Sequence, residues 1–196
     1  MAMRKKKTSF PSLEEIQQEM TRVKSQGRYH QALRSTVSTI VVVAALAVLV
    51  AALLLPVMRV IGTSMQPAFQ PGDIIVAYKT DTYLPGDLCC FYYNNKLIVK
   101  RVIAMGGDRL EIDDDGRVTV NDLQLDEPYV AEYDFGQCDL DFPFVVPENT
   151  LFVMGDNRPV AVDSRSINFG CINTEDMVGK IIFRVWPFNA IEFFGL

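Results

Sequence analysis

Histidine is almost missing from this chain: His30 is the only one among 196 residues. It precedes the long apolar run, so it lies on the wrong side to assist chemistry beyond a membrane if that run spans one. Serine nucleophiles commonly use a histidine base, so serine chemistry on the far side needs another base. With one histidine and no C-x-x-C spacing, the sequence predicts no zinc site and implies no metal or organic cofactor.

Cysteine is also scarce, with four residues in all. Cys89 and Cys90 are neighbours in an apolar stretch, which is typical of small buried hydrophobic side chains. A disulfide between Cys138 and Cys171 is conceivable if this part of the chain is exported to an oxidising compartment.

Charge is absent from residues 36–58. Twenty-three residues rising ~1.5 Å each span roughly 34 Å, enough to cross a hydrocarbon core of ~30 Å. A cleaved signal peptide is the alternative, but its apolar region is usually only ~7–15 residues long and nearer the N-terminus. We therefore expect a retained transmembrane anchor at 36–58, between a cytoplasmic arm at 1–35 and an extracytoplasmic domain at 59–196.

The two flanks of the anchor differ in charge. Residues 1–35 carry eight Lys/Arg and three Glu, a net charge of +5, whereas residues 59–196 carry 11 basic and 21 acidic groups, a net charge of −10. Basic flanks remain cytoplasmic, so we expect a single-pass plasma-membrane protein with its N-terminus inside. The basic arm would favour the anionic headgroups of the lipid bilayer, and an arm that only sets the topology is the alternative. The acidic exterior argues against nucleic-acid partners, because nothing would offset its repulsion of phosphates.

The pattern beyond the anchor is that of a mostly β protein. Short apolar runs alternate with turn residues, and no repeats or heptads occur, which predicts an antiparallel β-sheet domain preceded by one N-terminal transmembrane helix. Residues 132–147 are acidic and proline-punctuated, so we expect an irregular loop there. In the arm, a helix is expected to start after Ser12 and to end near Gly27. Strands are expected at 73–78, 88–93, 97–103, 110–112, 118–120, 151–154, 178–185 and 191–194.

Ser64 is a candidate nucleophile. It lies six residues beyond the anchor, in Gly62-Thr-Ser64-Met65-Gln-Pro67. A serine between glycine and proline lies on a turn, where its hydroxyl and its backbone N–H can face the same substrate, and Gly62 permits close backbone approach. An ordinary turn beside the membrane is the alternative interpretation of this segment.

Lys100 is a candidate base. In strand alternation Ile98, Lys100 and Val102 share one face and Arg101 lies on the other, and both faces are mostly apolar. Burial disfavours the charged form of lysine and lowers its pKa by up to ~3–5 units, which would let it accept a proton, whereas arginine stays protonated. A snorkelling or ion-paired lysine is the alternative.

A third polar segment follows the expected strand at 151–154. It reads Gly155-Asp-Asn-Arg158, then Asp163-Ser-Arg165 after a short apolar interval. Two aspartates, two arginines, an asparagine and a serine within eleven residues suit a hydrogen-bonded scaffold beside a site. A surface loop laced with ion pairs is the alternative.

Taken in order, these segments resemble bacterial type I signal peptidases. The match consists of Ser64-Met65-x-Pro67, then Lys100-Arg101-Val102-x-x-x-Gly106-Gly107-Asp108, then Gly155-Asp156-Asn157-Arg158 with Asp163-Ser164-Arg165. Weaker matches are Pro71-Gly72-Asp73, Pro85-Gly86-Asp87, Glu127-Pro128-Tyr129 and Arg184-Val-Trp186-Pro187. The resemblance covers residues 58–196, and the order and spacing of the motifs carry it.

The resemblance implies a membrane-bound serine endopeptidase that uses a Ser/Lys dyad on a β fold. It implies secretory preproteins as substrates, cut after an Ala-x-Ala sequence. Ser64 would be the nucleophile and Lys100 the general base, with the Ser64 backbone N–H holding the oxyanion and Gly62 and Met65 beside the substrate. The residues expected to support the site are Arg101, Asp156, Arg158, Asp163, Ser164 and Arg165.

Two positions depart from the family's usual pattern. Ala161 stands where the family usually has a serine that holds the lysine ammonium, so another group, such as water or the Ser164 hydroxyl, would have to orient Lys100. We expect Ala161→Ser to raise activity. Gly62 stands where some members have a serine that donates to the oxyanion. The short chain lacks room for the large extra domain of some Gram-negative members, which indicates a Gram-positive type.

Two other functional classes share some of these sequence features. A non-catalytic relative that assists assembly of surface structures such as pili would usually lack the serine or the lysine, and both are present here. Self-cleaving repressors share the dyad but need a DNA-binding domain and a cytoplasmic location, which the anchor excludes. Signal peptidases of the endoplasmic-reticulum type use histidine in place of Lys100, and no histidine is available beyond the anchor.

Overall fold

The computed structural model describes residues 12–195, and it divides into two units after Ala51. The first unit is dominated by α1 (Leu13–Leu54), a 42-residue helix. Its part from Leu33 to Leu54 is long and apolar enough to cross a membrane, and none of it is buried within the chain. The start of the expected arm, residues 1–11, lies outside the described residues.

The helix differs from the expectation at two points. It continues through Gly27, where we expected it to end, because one glycine costs a helix interior only ~1 kcal/mol and does not by itself break it. It ends at Leu54, before the expected boundary at residue 58. Pro56 disfavours the helical conformation of the residue before it, and a β-strand then begins at Val57.

The second unit, from Ala52 onward, is a β domain, which confirms the expected fold class. Two short 3-10 turns, Thr174–Asp176 and Phe188–Ala190, interrupt it. Within residues 12–195 the strands are β1 (Val57–Arg59), β2 (Ile74–Tyr78), β3 (Leu88–Tyr93), β4 (Lys96–Met105), β5 (Arg109–Ile112), β6 (Val118–Val120), β7 (Leu123–Gln124), β8 (Phe144–Val145), β9 (Thr150–Met154), β10 (Ile172–Asn173), β11 (Met177–Trp186) and β12 (Glu192–Phe193).

The strands form two antiparallel sheets. The larger has the order β1-β2-β11-β3-β4-β9-β10, with β12 also paired to β11, and the smaller has the order β7-β6-β5-β8. β4 is central to the larger sheet, between β3 and β9. Its neighbour β9 runs directly into the 155–165 segment, so the sheet brings that segment beside the middle of β4.

The sequence of β4 explains its buried position. Val99 packs against the apolar cluster of Val60 and Ile75, while Ile98 and Val102 pack against a second cluster. Alternate residues of one strand point to opposite faces, so a strand that is apolar on both faces must be covered on both. The two adjacent cations of this strand are therefore carried into the interior.

The expected strands are confirmed in position, each within two residues of the observed ends. Four observed strands were not predicted: β1, because residues 57–58 were assigned to the anchor, β8, which lies within the expected loop at 132–147, and the two-residue strands β7 and β10. All four are short and supply few alternating positions from which a period can be read.

All four cysteines are free thiols, so the conceivable disulfide between Cys138 and Cys171 is not formed. Cys89 and Cys90 are fully buried, as expected for small hydrophobic side chains. Burial raises the pKa of both thiols, to about 12 for Cys90, which keeps them protonated and unreactive at neutral pH.

Candidate active site

Ser64 lies on the loop between β1 and β2. The loop is a turn in which the Gln66 N–H donates to the Thr63 carbonyl at 3.1 Å. Two apolar side chains of the loop are buried in the core of the domain: Met65 and Phe69 are 2% and 0% exposed and belong to the same apolar cluster. Met65 is therefore the residue that anchors the loop, while the Ser64 side chain stays half-buried at the surface of the domain.

Gly62, two residues earlier, has a φ of +91° and is exposed. A Cβ added there would meet no atom within 4 Å. Its requirement for glycine is therefore conformational, since residues with a side chain rarely adopt positive φ. A serine at this position would carry that backbone strain.

Lys100 is buried in the middle of β4 and is 2% exposed. Cys89 of β3 lies directly opposite it in the sheet register. Removal of the ammonium from water lowers the pKa of Lys100 below its usual 10.5, and the nearby Arg165 lowers it further, while Asp163 and Asp156 oppose the shift. Across residues 12–195, Lys100 forms no ion pair. The lysine is therefore held in the surroundings that a neutral base requires.

Ser64 and Lys100 meet at Gly155, the first residue after β9. A Cβ built on Gly155 would lie 3.2 Å from Lys100 Nζ and 2.5 Å from both the Ser64 carbonyl oxygen and Ala161 Cβ. Only glycine leaves room for these three groups to converge. The Ser64 hydroxyl and Lys100 Nζ are not hydrogen-bonded to each other in this structure.

Arg101, the second cation of the pair, has a different environment from Lys100. Its Nε and Nη2 donate to the two carboxylate oxygens of Asp156 at 2.8 and 2.7 Å, and Nη1 donates to the Gly86 carbonyl at 2.8 Å. Burial raises the pKa of Asp156, and the bonds from Arg101 oppose that rise. This bidentate pair attaches β4 to the segment that follows β9.

Asp163 and Arg165 form a second buried pair beside the site. Arg165 Nε donates to Asp163 Oδ1 at 2.9 Å, and both side chains are fully buried. The other carboxylate oxygen, Oδ2, accepts from the Gly155 N–H at 3.0 Å. This pair therefore fixes the residue around which Ser64 and Lys100 converge.

A third buried ion pair joins Arg158 to Glu127. No role was predicted for Glu127 from the sequence, although the Glu127-Pro128-Tyr129 segment is one of the weaker family matches. Glu127 accepts from Arg158 at 2.5 Å, both being almost fully buried, and Arg158 Nε donates to the Gly155 carbonyl at 3.2 Å. The ring of Tyr129 stacks under the Arg101 guanidinium, 3.8 Å from the ring centroid, and its hydroxyl donates to Glu127 at 3.0 Å. The Glu127-Pro-Tyr129 segment thus links two of the ion pairs.

Ala161 and Ser164 bear on how the lysine is oriented. Ala161 is 3% exposed. Its methyl group, like Lys100 Nζ, lies close to the position that a Cβ on Gly155 would occupy. Ser164 Oγ accepts from the Val153 N–H at 3.1 Å and so binds the β9 backbone. In the described part of the chain no hydrogen bond joins Ser164 to Lys100. The Ser164 hydroxyl, which was expected to orient Lys100 in place of the missing serine at position 161, bonds the Val153 N–H instead.

Metal-binding groups are absent from the described residues: no cluster of three or more His, Cys, Asp or Glu side chains is placed to hold an ion within 12–195. The acidic residues near Lys100 are instead occupied by arginines.

The chain is similar to known signal peptidases. Residues 33–186 match the family described as signal peptidase, peptidase S26. Signal peptidase I of Bacillus licheniformis is 34% identical over 192 residues, covering 88% of this chain and 98% of that protein. Signal peptidase IB of Staphylococcus aureus strain MRSA252 is 36% identical over 152 residues, covering 67% and 78% respectively.

Among solved structures, a signal peptidase I from Enterococcus faecalis V583 is 26% identical and aligns with a TM-score of 0.42, covering 50% of this chain and 96% of that one. The family match spans more than half of the chain, and the Bacillus relative is matched over nearly its whole length. The chain therefore belongs to the bacterial type I signal peptidases of the peptidase S26 family.

Proposed function

We propose that this protein, a signal peptidase and hence a serine peptidase that cleaves signal peptides, acts through Ser64 as nucleophile and Lys100 as general base. The observation that carries the proposal is the meeting of the Ser64 loop and the Lys100 ammonium at Gly155. The buried state of Lys100 supports it, since a lowered pKa makes the neutral base accessible.

The chemistry follows from the properties of these groups. Ser64 Oγ attacks the scissile carbonyl carbon as Lys100 Nζ takes its proton, and the Ser64 backbone N–H holds the resulting oxyanion. The C–N bond then breaks, and the Lys100 ammonium returns the proton to the leaving amine. Water attacks the acyl ester with Lys100 again as the base, which releases the carboxylic acid and restores Ser64.

The membrane topology and the substrate class belong to the same proposal. The 22-residue apolar helix, Leu33–Leu54, is the anchor, and the basic residues before it keep the N-terminus in the cytoplasm. The β domain then lies outside, where secretory preproteins emerge, and it cuts them after Ala-x-Ala. Protease added to intact spheroplasts should digest the β domain and spare the N-terminal arm; protection of the β domain would reverse the topology.

Cleavage by the purified full-length protein in detergent tests the dyad. An Ala-x-Ala preprotein should be cut after the second alanine by wild type and by neither Ser64→Ala nor Lys100→Ala. Lys96→Ala is the matched control, because Lys96 lies on the same strand but is exposed. Retained cleavage by Lys100→Ala would exclude it as the base, and inactive wild type would favour the non-catalytic relative.

A further inference from the structure

We propose that Asn157 is a positioning residue that aims the oxyanion donor of the nucleophile loop. Its side-chain Nδ2 donates to the Thr63 carbonyl at 3.1 Å, across 94 residues of sequence. Its backbone N–H donates to the Ser64 carbonyl, also at 3.1 Å. One residue thus binds both carbonyls around the proposed nucleophile. The inference rests on the proposed function, in which the Ser64 N–H holds the oxyanion.

The geometry of a peptide unit links these contacts to that N–H. The Thr63 carbonyl and the Ser64 N–H belong to one planar trans peptide, so they point in opposite directions. Anchoring the carbonyl therefore fixes the direction of the N–H. Asn157 Nδ2 and the Gln66 N–H both donate to the same Thr63 oxygen, so two donors hold and polarise this peptide.

The other end of the peptide is free to bind a substrate oxygen. Within residues 12–195, the Ser64 N–H donates to no protein acceptor. A peptide held from behind by two donors, with its own N–H open in front, is the arrangement that preorganised oxyanion stabilisation requires.

Rigid neighbours hold Asn157 itself in place. Asp156 before it accepts two bonds from Arg101, and Arg158 after it pairs with the buried Glu127. Asn157 is only partly buried, unlike these neighbours, and its own carbonyl closes a turn with the Ala161 N–H at 3.0 Å. Loss of its side-chain amide therefore leaves the three ion pairs and the core unchanged.

The side-chain chemistry is specific to asparagine. The Thr63 oxygen can only accept a hydrogen bond, so the atom facing it must be the amide nitrogen. Asn157→Asp keeps the size of the side chain but sets a carboxylate against that carbonyl, and Asn157→Ala removes the donor alone. Since complete loss of one oxyanion donor costs ~10²–10³ in rate, misaiming it should lower kcat by roughly 10–100-fold, with Asp at least as impaired as Ala.

The experiment uses the full-length enzyme in detergent, with wild type, Asn157→Ala and Asn157→Asp compared. Asn173→Ala is the control, because Asn173 is an exposed asparagine that bonds Asp176. Cleavage of the Ala-x-Ala preprotein gives kcat, KM and the pH profile. Two inhibitors of the same peptide sequence separate positioning from folding: an aldehyde, whose carbonyl carbon adds Ser64 Oγ and whose oxygen enters the oxyanion site, and the matching alcohol, which only binds.

We expect kcat and aldehyde affinity to fall together in both variants, with KM, alcohol affinity, Tm and the pKa of the pH profile unchanged. Unchanged kcat and aldehyde affinity would overturn the inference, and so would an equal loss of alcohol affinity, which would indicate general damage to the site. Inactive wild type, or a fully active Ser64→Ala, would instead overturn the proposed function. The two failures are therefore distinguishable.

Discussion

Gly155→Ala should disable the enzyme by separating the groups that meet at this residue. The backbone of Gly155 is compatible with alanine, because its φ is not positive, so only space is at issue. The new Cβ would lie 2.5 Å from the Ser64 carbonyl oxygen and from Ala161 Cβ, and 3.2 Å from Lys100 Nζ. Ordinary contacts begin at 3.4 Å, so Ser64 and Ala161 must each move by about 1 Å relative to Gly155.

A displacement of that size should lower the catalytic rate more than the folding stability. Misplacement of a reacting group by ~1 Å can cost ~10²-fold in rate, whereas overpacking costs roughly 1–3 kcal/mol of folding free energy. We therefore expect kcat/KM for an Ala-x-Ala preprotein to fall about 100-fold, with the protein still folded by circular dichroism and its Tm lowered.

The double variant Gly155→Ala/Ala161→Gly identifies which contact matters. It removes the Ala161 methyl group but leaves the Ser64 carbonyl, which is held by the Asn157 N–H. We expect partial recovery of Tm and little recovery of activity. Activity of Gly155→Ala within about threefold of wild type would refute the convergence of Ser64 and Lys100 at this glycine.

Three further predictions concern the base and its support. Activity should rise with pH through a single ionisation with a pKa below 10.5, because burial lowers the pKa of Lys100 and its neutral form is the proposed base; Lys100→Arg should be inactive at every pH. Ala161→Ser should raise kcat, since its hydroxyl would border Lys100 Nζ and could accept from the ammonium. Glu127→Gln should lower the free energy of unfolding by ~3–5 kcal/mol, because it leaves the buried Arg158 charge without its partner.

Each of these has a direct check. A pH–kcat/KM profile of wild type that shows no ionisation anywhere below pH 10.5 would exclude a titrating lysine base. Unchanged turnover in Ala161→Ser would mean that lysine orientation is not limiting. Denaturant unfolding of Glu127→Gln should be compared with Glu111→Gln, whose carboxylate pairs with Arg109 at an exposed site, and equal midpoints for the two variants would contradict the Glu127 prediction.

The lowered pKa of Lys100 also makes the free energy of unfolding depend on pH. Its folded-state pKa lies below the 10.5 of an ordinary lysine, so between those two values the unfolded chain binds the extra proton. The free energy of unfolding contributed by this group therefore increases as pH rises through that window. Lys100→Met should remove this dependence, as measured by denaturant midpoints at several pH values.

Much of the fold is predictable from local pattern. The run without charge identifies the apolar helix, and alternation identifies strands such as Leu88–Tyr93 and Val118–Val120, which the structure has with the same ends. The errors occur where local signals are weak or ambiguous. Gly27 is compatible with a helix that neighbouring residues sustain. Val57 and Met58 are apolar enough to extend the anchor, but they pair with β2 instead.

The sequence alone determined which chemical groups are available: one serine on a turn beyond an apolar run, two adjacent cations on a doubly apolar strand, and a polar segment after another strand. Only the tertiary structure distinguished Lys100 from Arg101. Alternation places them on opposite faces, but it does not show which side chains cover each face. Within residues 12–195, Arg101 is paired with Asp156, 55 positions away, whereas Lys100 forms no ion pair. For the same reason the bond from Asn157 to Thr63 could not be read from the sequence, since chain folding, and not spacing, brings a donor and an acceptor 94 residues apart into contact.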